Sequence, residues 1–386
     1  MPMFFDFSTA TRIIFGRAKV NEVSSIGLKA GKKALLVYGA SPERHENLLN
    51  SLDNEGISYI PFAVTKEPTL EIIENGVYLF RKEACEMVIA IGGGSVIDTG
   101  KTIALLSNND GEIRDYLEVV GLGKEINHPG AFMIAIPTTA GTGSEVTRNA
   151  VIGVKEQKIK VSLRSNYLLP SVAIIDPELT ASMPPNITAS TGMDAITQLV
   201  EGFVSNKANP ITDAFCQDGL QYAASSIREV YTHGEDINSR ERMSLASLYS
   251  GIVLANAKLG AVHGFAGVIG GMYDAPHGEI CAALLPAVMR GNIESLQRKK
   301  FSTEYLSRYR KIAQIFGAES DPKPEEAAET IYRLNEYLNI RPLSSFGISE
   351  ADYPEIIVKA AASSSMKGNP VVLSPEEMYK MLEISQ

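Results

Sequence analysis

The sequence predicts an α/β domain followed by an all-α domain. Short apolar runs alternate with amphipathic stretches through the first half of the 386-residue chain, whereas helical periodicity fills the second half. The stretch 176–185 between the two halves is rich in proline, which interrupts regular secondary structure. We therefore place the domains at 1–180 and 181–386.

Near-continuous apolar runs mark the strands of the first domain. They are predicted at 34–38, 58–63, 87–91 and 132–136, and β-branched runs at 151–161 and 172–175 complete the domain. Helices are predicted at 43–54 and 70–82. Alternating strands and helices form parallel β-α-β units, and apolar strands are buried on both faces, so we expect a parallel sheet covered on both sides.

The second domain shows little strand pattern. Helices are predicted at 191–205, 210–229, 240–257, 278–294, 303–317, 324–337 and 351–363. The interval 260–279 is rich in glycine and poor in charge, so we expect it to lie in the interior.

Composition excludes several classes of partner. The net charge of −9 argues against nucleic acid or an anionic membrane as the main partner. The chain has neither a long uninterrupted apolar run nor the start of a signal peptide, so we expect no membrane span and a cytoplasmic protein. Cys85, Cys216 and Cys281 match no metal-binding spacing and are interpreted as small core residues.

A glycine run follows the third apolar strand. The strand ends in Gly92, Gly93 and Gly94, and a helix is predicted from about Ser95, a plausible helix cap. Glycine lets a phosphate approach the backbone, and a helix N-terminus offers N–H groups and a positive dipole end, so this is a candidate pyrophosphate site. One alternative is a P-loop, but that motif has four residues between its first glycine and its Gly-Lys pair, whereas five residues separate Gly94 from Gly100. The other alternative is a tight turn that binds no ligand.

A second polar loop follows the fourth strand, at 137–145. It carries Thr138, Thr139 and Ser144 among glycines, at the end of a parallel strand where open α/β sheets bind ligands. The alternative is a solvated turn. Lys160, further along, could counter phosphate or substrate charge, or it could be an ordinary surface lysine.

A candidate metal site lies in the second domain. Asp194 and Gln198 are four residues apart on a helix predicted to begin near Ser190, among apolar neighbours, and a buried aspartate needs a partner. His263 and His277 lie in or beside the glycine-rich interval. One aspartate and two histidines form a plausible divalent metal site, unless each histidine instead satisfies a local carbonyl.

These motifs together carry a family resemblance. The order of Ile14-Phe15-Gly16, GGGSVIDTGK at 92–101, PTTAGTGSE at 137–145, GMDAITQLVE at 192–201 and the two His-Gly pairs resembles that of the iron-containing (group III) alcohol dehydrogenases. The resemblance implies a dehydroquinate-synthase-like fold, with an N-terminal dinucleotide-binding domain and a C-terminal helical bundle. It also implies a homodimer or larger homo-oligomer.

The resemblance also assigns roles to residues. The positions implied to bind the nicotinamide cofactor are Gly93, Gly94, Ser95, Asp98, Thr138, Thr139, Ser144 and Lys160. Those implied to hold Fe²⁺ or Zn²⁺ and to act in catalysis are Asp194, His263 and His277. Two positions depart from the family: Gln198 stands where a third histidine ligand is usual, and Gly267 stands where a second histidine of the HG stretch is common. The amide oxygen of Gln198 is a weaker ligand than imidazole.

Cofactor choice depends on the loop after the first predicted strand. Gly39 stands where NAD-preferring members of the family carry aspartate, and Ser41 and Arg44 could receive a 2′-phosphate. Glu43 argues the other way. We expect NADP to be favoured over NAD.

The expected function is that of an NAD(P)-dependent oxidoreductase. It would interconvert a small-molecule alcohol and its aldehyde or ketone, with a divalent metal polarising the alcohol oxygen. Three alternatives stay open: a metal-independent reductase of the maleylacetate reductase type, a non-redox synthase or lyase on the same fold, and a cofactor-binding protein without turnover.

Overall fold

Two compact units make up the structure, a computed structural model that describes residues 4–39, 42–117, 120–154, 157, 159–273, 275–300 and 303–386. The first unit comprises Ser8–Thr139 and Gly143–Ala181. The second comprises Ser182–Gln386 together with residues 4–7 and Ala140–Thr142. The functional division of the chain at residue 180 stays a prediction.

The first unit is built on strands and short helices. Its strands are β1 Ile13–Phe15, β2 Lys33–Tyr38, β3 Ser58–Ala63, β4 Met87–Gly92, β5 Phe132–Pro137, β6 Asn149–Val154, β7 Ile159–Arg164 and β8 Val172–Ile175. Its helices are α1 Val23–Gly27, α2 Glu46–Asn54, α3 Leu70–Lys82, α4 Gly94–Ser107 and α5 Ile113–Tyr116. A 3₁₀ helix over Pro42–His45 occupies the start of the segment predicted as helix 43–54.

Six of these strands form one parallel sheet in the order β1-β8-β5-β4-β2-β3. Side chains alternate across it: Ile89 and Ile134 belong to one apolar cluster, and Val88 and Met133 to another. Residues of α1 and α2 join the first cluster, and residues of α3 and α4 join the second. The predicted parallel sheet, covered on both faces, is therefore confirmed.

The β-branched run at 151–161 contributes strands that lie outside the six-stranded sheet. It contributes to β6 and β7, which pair antiparallel as a separate two-stranded sheet. The edge strand β1 was not predicted, because three residues are too few to show a pattern.

The strand order reverses between β2 and β4. The chain runs from β2 outward to β3, and from β4 in the opposite direction to β5. Tyr38 pairs with Ile91, and Gly92 pairs with Pro137, so the loops after β2, β4 and β5 leave the same edge of the sheet. Open α/β sheets bind ligands at such a reversal, outside the carboxyl ends of the strands.

The second unit is helical, as predicted. Its helices are α6 Pro185–Val204, α7 Pro210–Thr232, α8 Ile237–Asn256, α9 Ala261–Met272, α10 His277–Arg298, α11 Thr303–Ile315, α12 Glu326–Tyr337, α13 Tyr353–Ala362 and α14 Pro375–Ile384. Within the described ranges, no single helix has both the length and the apolar composition to cross a membrane, although the bent pair α8 and α9 meets both criteria together.

Three helices of this unit correct the sequence prediction. The helix predicted from about residue 190 begins at Pro185, because proline suits the first helical turn, where its missing N–H costs nothing. Helix α9 was missed because its four glycines weaken the helical pattern, and burial of its apolar face outweighs their low helix propensity. Helix α14 was also missed.

Candidate metal centre and cofactor loops

Helix α6 presents three polar side chains on one face. Asp194, Gln198 and Glu201 follow one another at intervals of four and three residues, so they lie on the same side of the helix. Their exposed fractions are 2%, 3% and 4%. Such deeply buried polar groups require partners, which neighbouring helices supply.

Glu201 fixes His263 at the start of α9. Its Oε2 lies 2.7 Å from His263 Nδ1, and its Oε1 accepts the backbone N–H of Val262 at 2.6 Å. The carboxylate thus caps the positive end of α9 and orients the imidazole. With Nδ1–H donated to Glu201, Nε2 is the ring nitrogen that faces Asp194, and it can bind a metal once it releases its proton.

Helix α10 supplies two further side chains. His277 is its first residue, and Cys281, one turn later, lies on the same face. The helix approaches α6 so closely that a Cβ on Gly278 would lie 2.3 Å from the carbonyl oxygen of Ser190. Glycine at 278 therefore permits the contact that brings His277 to Asp194.

Four potential ligand atoms converge between these three helices. Asp194 Oδ1 lies 3.4 Å from His263 Nε2 and 3.8 Å from His277 Nε2. Cys281 Sγ lies 3.5 Å from His277 Nε2 and 3.9 Å from His263 Nε2. All four atoms lie within 4.8 Å of one another, and Asp194 Oδ1 is buried without a hydrogen-bond partner among the described residues.

The charges in this cluster stabilise one another. Burial alone would raise the pKa of Asp194, but its contact with His263 and the charge of His277 outweigh burial and lower it. Burial would lower the pKa of His263, but the neighbouring thiol and the two carboxyls raise it well above its usual value. The Cys281 charge raises the pKa of His277. A metal cation bound in place of the imidazole protons would be stabilised by the same anionic groups.

Gln198 contacts the aspartate rather than the histidines. Its Nε2 donates to Asp194 Oδ2 at 3.3 Å, and its Oε1 is buried and has no hydrogen-bond partner in the part of the chain that the structure describes. The role of Gln198 as a metal ligand stays a prediction.

The glycine run of the first unit lies at the N-terminus of α4. Gly93 is the N-cap of α4, and no side chain caps it, so Ser95 lies inside the helix and its predicted role as the cap is wrong. A Cβ on Gly93 would lie 3.5 Å from Thr139 Cγ2. The two predicted cofactor loops are therefore neighbours at the edge of the sheet, with Thr138 bound to Gly92 through its backbone N–H at 3.0 Å.

Asp98 and Ser144 anchor the polar loop to α4. The Asp98 carboxylate accepts from the Ser144 hydroxyl and, at 2.8 Å, from the backbone N–H of Val151. The buried Lys101 Nζ lies 3.0 Å from Asp98 and donates to the Ser144 carbonyl at 2.9 Å. Contact of these residues with a cofactor stays a prediction, and the anchoring role was not foreseen.

The three other predicted cofactor residues are Gly39, Ser41 and Lys160. Gly39 follows β2 at the strand reversal, and a Cβ there would have no heavy atom of the described residues within 4 Å. Ser41 lies outside the described residues. Lys160 lies on β7 and pairs with Glu67 at 2.6 Å.

Comparison with known proteins decides the family. The model for iron-containing alcohol dehydrogenase matches residues 10–177, and that for the C-terminal part of the Fe-containing alcohol dehydrogenase family matches residues 188–385. The chain belongs to the iron-containing alcohol dehydrogenase family. Alcohol dehydrogenase 4 of Saccharomyces cerevisiae (strain YJM789) is 35% identical over 96% of this chain and 95% of its own length.

Solved structures of this family confirm the fold. A 1,3-propanediol oxidoreductase is 33% identical, with a TM-score of 0.91 and coverage of 100% of both chains. The sulfoacetaldehyde reductase of Bifidobacterium kashiwanohense, solved with NAD⁺, is 27% identical, with a TM-score of 0.87 over 99% of this chain and 98% of that one. The family implies a nicotinamide cofactor and a divalent metal.

The buried cluster suits that metal chemically. It offers a carboxylate oxygen without a hydrogen-bond partner and two imidazole nitrogens, which are common ligands of divalent transition metals. Sequence reasoning missed Glu201, whose spacing of seven residues from Asp194 places it on the same helix face. It also interpreted Cys281 only as a core residue, although its spacing of four residues from His277 marked it as a neighbour.

Proposed function

We propose that this chain is an NAD(P)-dependent alcohol dehydrogenase that uses a divalent metal held by Asp194, His263 and His277. The observation that carries the proposal is the convergence of Asp194 Oδ1 with the Nε2 atoms of both histidines, at 3.4 and 3.8 Å. Membership of the alcohol dehydrogenase family supports the reaction class. The names of the relatives point to small alcohols and aldehydes as substrates.

Individual residues of the chain have different roles in the proposed reaction. The alcohol carbon gives a hydride to the oxidised nicotinamide, and its hydroxyl gives up a proton. A divalent metal supplies a Lewis acid that lowers the pKa of that hydroxyl. Glu201 holds His263 in one tautomer, and His277, with 38% of its side chain exposed, forms the accessible side of the cluster. Gly267 has no titratable group, so it cannot relay that proton.

The first unit would bind the dinucleotide at the strand reversal. The uncapped start of α4 at Gly93, with Thr139 beside it, supports a pyrophosphate site formed by Gly93, Gly94 and the threonine loop. The lack of a carboxylate side chain at Gly39, where an aspartate would repel a 2′-phosphate, supports NADP as the preferred cofactor.

Metal analysis and activity assays test the proposal together. Purified protein should carry about one divalent metal per chain, and nicotinamide absorbance should change with members of a panel of small alcohols and aldehydes. Chelation should abolish turnover, and added metal should restore it. Full activity in a verified metal-free preparation would instead establish the metal-independent reductase, and no absorbance change with any substrate would favour a synthase or lyase.

Two wider expectations stay predictions. The family resemblance implies a homodimer or larger homo-oligomer, which light scattering of the purified protein measures. The cytoplasmic location is tested by fractionating cells that express the native gene.

A further inference from the structure

A buried thiol lies at the candidate metal centre, where the family resemblance implies none. Cys281 is buried on α10, and its Sγ lies 3.5 Å from His277 Nε2 and 3.9 Å from His263 Nε2. The chain also lacks the third histidine that the family usually places at position 198. We propose that the Cys281 thiolate is the fourth protein ligand of the metal, in place of Gln198. This inference rests on the metal dependence proposed above.

Four distances within the cluster lie close to those of a tetrahedral site. Zinc binds nitrogen and oxygen at about 2.0–2.2 Å and sulfur at about 2.3 Å, so tetrahedral ligand atoms are separated by roughly 3.3–3.7 Å. The separations from Asp194 Oδ1 to the two imidazoles are 3.4 and 3.8 Å. The two separations from Cys281 Sγ are 3.5 and 3.9 Å, and the remaining pairs of ligand atoms lie within 4.8 Å. The thiol is therefore close enough to complete a tetrahedral set when the four side chains draw in around a metal.

Gln198 has a different contact in the same structure. Its amide nitrogen donates to Asp194 Oδ2 at 3.3 Å, which leaves Oδ1 directed at the imidazoles. A neutral amide is also a weaker ligand for a transition metal than a thiolate. Gln198 thus acts as a positioning residue for the aspartate, while Cys281 supplies the missing donor atom.

A sulfur ligand changes the expected metal. A set of one thiolate, two imidazoles and one carboxylate is softer than the family's set of one carboxylate and three imidazoles. Softer, tetrahedral sets favour Zn²⁺, whereas sites of nitrogen and oxygen donors also suit Fe²⁺. We expect the protein to select Zn²⁺ over Fe²⁺, and Cys281→Asn to reduce this selectivity by about tenfold or more.

Cobalt substitution tests the ligand directly. Metal-free full-length protein is loaded with Co²⁺, and its absorption spectrum is recorded with and without substitutions. The wild-type protein should show tetrahedral d–d bands in the visible and a thiolate-to-cobalt charge-transfer band in the near ultraviolet. Cys281→Ser and Cys281→Ala should lose the charge-transfer band. Cys216→Ala, which removes a buried thiol from α7, is the matched control and should keep it.

X-ray absorption of the wild-type zinc protein gives an answer that does not depend on how the variants fold. The expected result is one sulfur at about 2.3 Å and three nitrogen or oxygen neighbours at about 2.0–2.2 Å. A shell of nitrogen and oxygen alone would overturn the inference, as would a charge-transfer band that persists in Cys281→Ser. In both cases the bound metal would still support the proposed function. Failure of Zn²⁺ and Co²⁺ to bind at all would overturn both proposals.

Discussion

Glu201 and His263 form the contact on which the geometry of the metal centre depends. The Glu201 carboxylate lies 2.7 Å from His263 Nδ1 and also accepts the N–H of Val262 at the start of α9. A single buried side chain on α6 thereby sets both the position of α9 and the tautomer of a proposed ligand. Gly260 leaves room for it, because a Cβ there would lie 2.8 Å from Glu201 Oε1.

Glu201→Gln should weaken metal binding. The amide keeps the size of the side chain but loses the charge that orients the imidazole, so we expect metal affinity to fall by about 10–100-fold. Competition with a chromophoric chelator measures it. Glu229→Gln is the control, since Glu229 contacts His233 at 2.9 Å on the exposed surface of α7. Equal affinities for the two variants would contradict the role assigned to Glu201.

Gly278→Ala should destabilise the helical unit. The added Cβ would lie 2.3 Å from the backbone oxygen of Ser190, so α10 must move away from α6. We expect a loss of about 1–3 kcal/mol in the free energy of unfolding, as for other overpacked sites. Gly267→Ala on α9 is the matched control, because no heavy atom lies within 4 Å of its Cβ. It should gain roughly 0.5–1 kcal/mol. Urea unfolding measures both, and equal midpoints would show that the approach of α10 to α6 is not tight.

Gly39→Asp should shift cofactor preference toward NAD. The new carboxylate has open space at the carboxyl end of β2, where it can bind the ribose 2′-OH and repel a 2′-phosphate. We expect the ratio of kcat/KM for NADP to that for NAD to fall by about tenfold or more, which corresponds to roughly 1.4 kcal/mol. Gly39→Ser adds a side chain without charge and should change the ratio less. An unchanged ratio in the aspartate variant would place the 2′-phosphate elsewhere.

Glu145→Gln should stabilise the protein at neutral and higher pH. Burial raises the pKa of Glu145 to about 7, although its backbone hydrogen bond and the charge of Lys101 oppose this effect. The folded state therefore holds a proton that the unfolded state releases, and the wild-type protein loses stability as pH rises from the unfolded value of 4.5 to about 7.

The glutamine variant mimics the protonated acid and should not lose this stability. Its advantage over wild type in the free energy of unfolding should be small near pH 4.5 and grow to about 3 kcal/mol above pH 7. Urea unfolding at several pH values measures the difference. Glu178→Gln, in the same unit at an exposed position, is the control for the change from glutamate to glutamine, and comparison with it isolates the effect of burial. A pH-independent difference for Glu145→Gln would mean that the glutamate is charged in the fold.

Local patterns explain which elements were predictable. The predicted strand at 58–63 and the predicted helix at 70–82 match β3 and α3, because the apolar pattern that indicates each element lies within its own residues. Helix α9 lacked such a signal, since its glycines have poor helix propensity and its burial comes from the helices around it. The β6–β7 hairpin was predicted as β structure, but its separation from the main sheet depends on pairing that no local pattern encodes.

The sequence by itself determined the parallel α/β unit, the helical unit, and the candidates Asp194, His263 and His277, because residue type and periodicity are local properties. Only the tertiary structure decided which side chains meet them. The crossing of α6, α9 and α10 places Glu201 against His263 Nδ1 and Cys281 within 3.9 Å of both imidazoles, while Gln198 contacts Asp194. The Glu201–His263 contact joins residues 62 positions apart, and the geometry of the cluster depends on how closely the helices approach, as at Gly278.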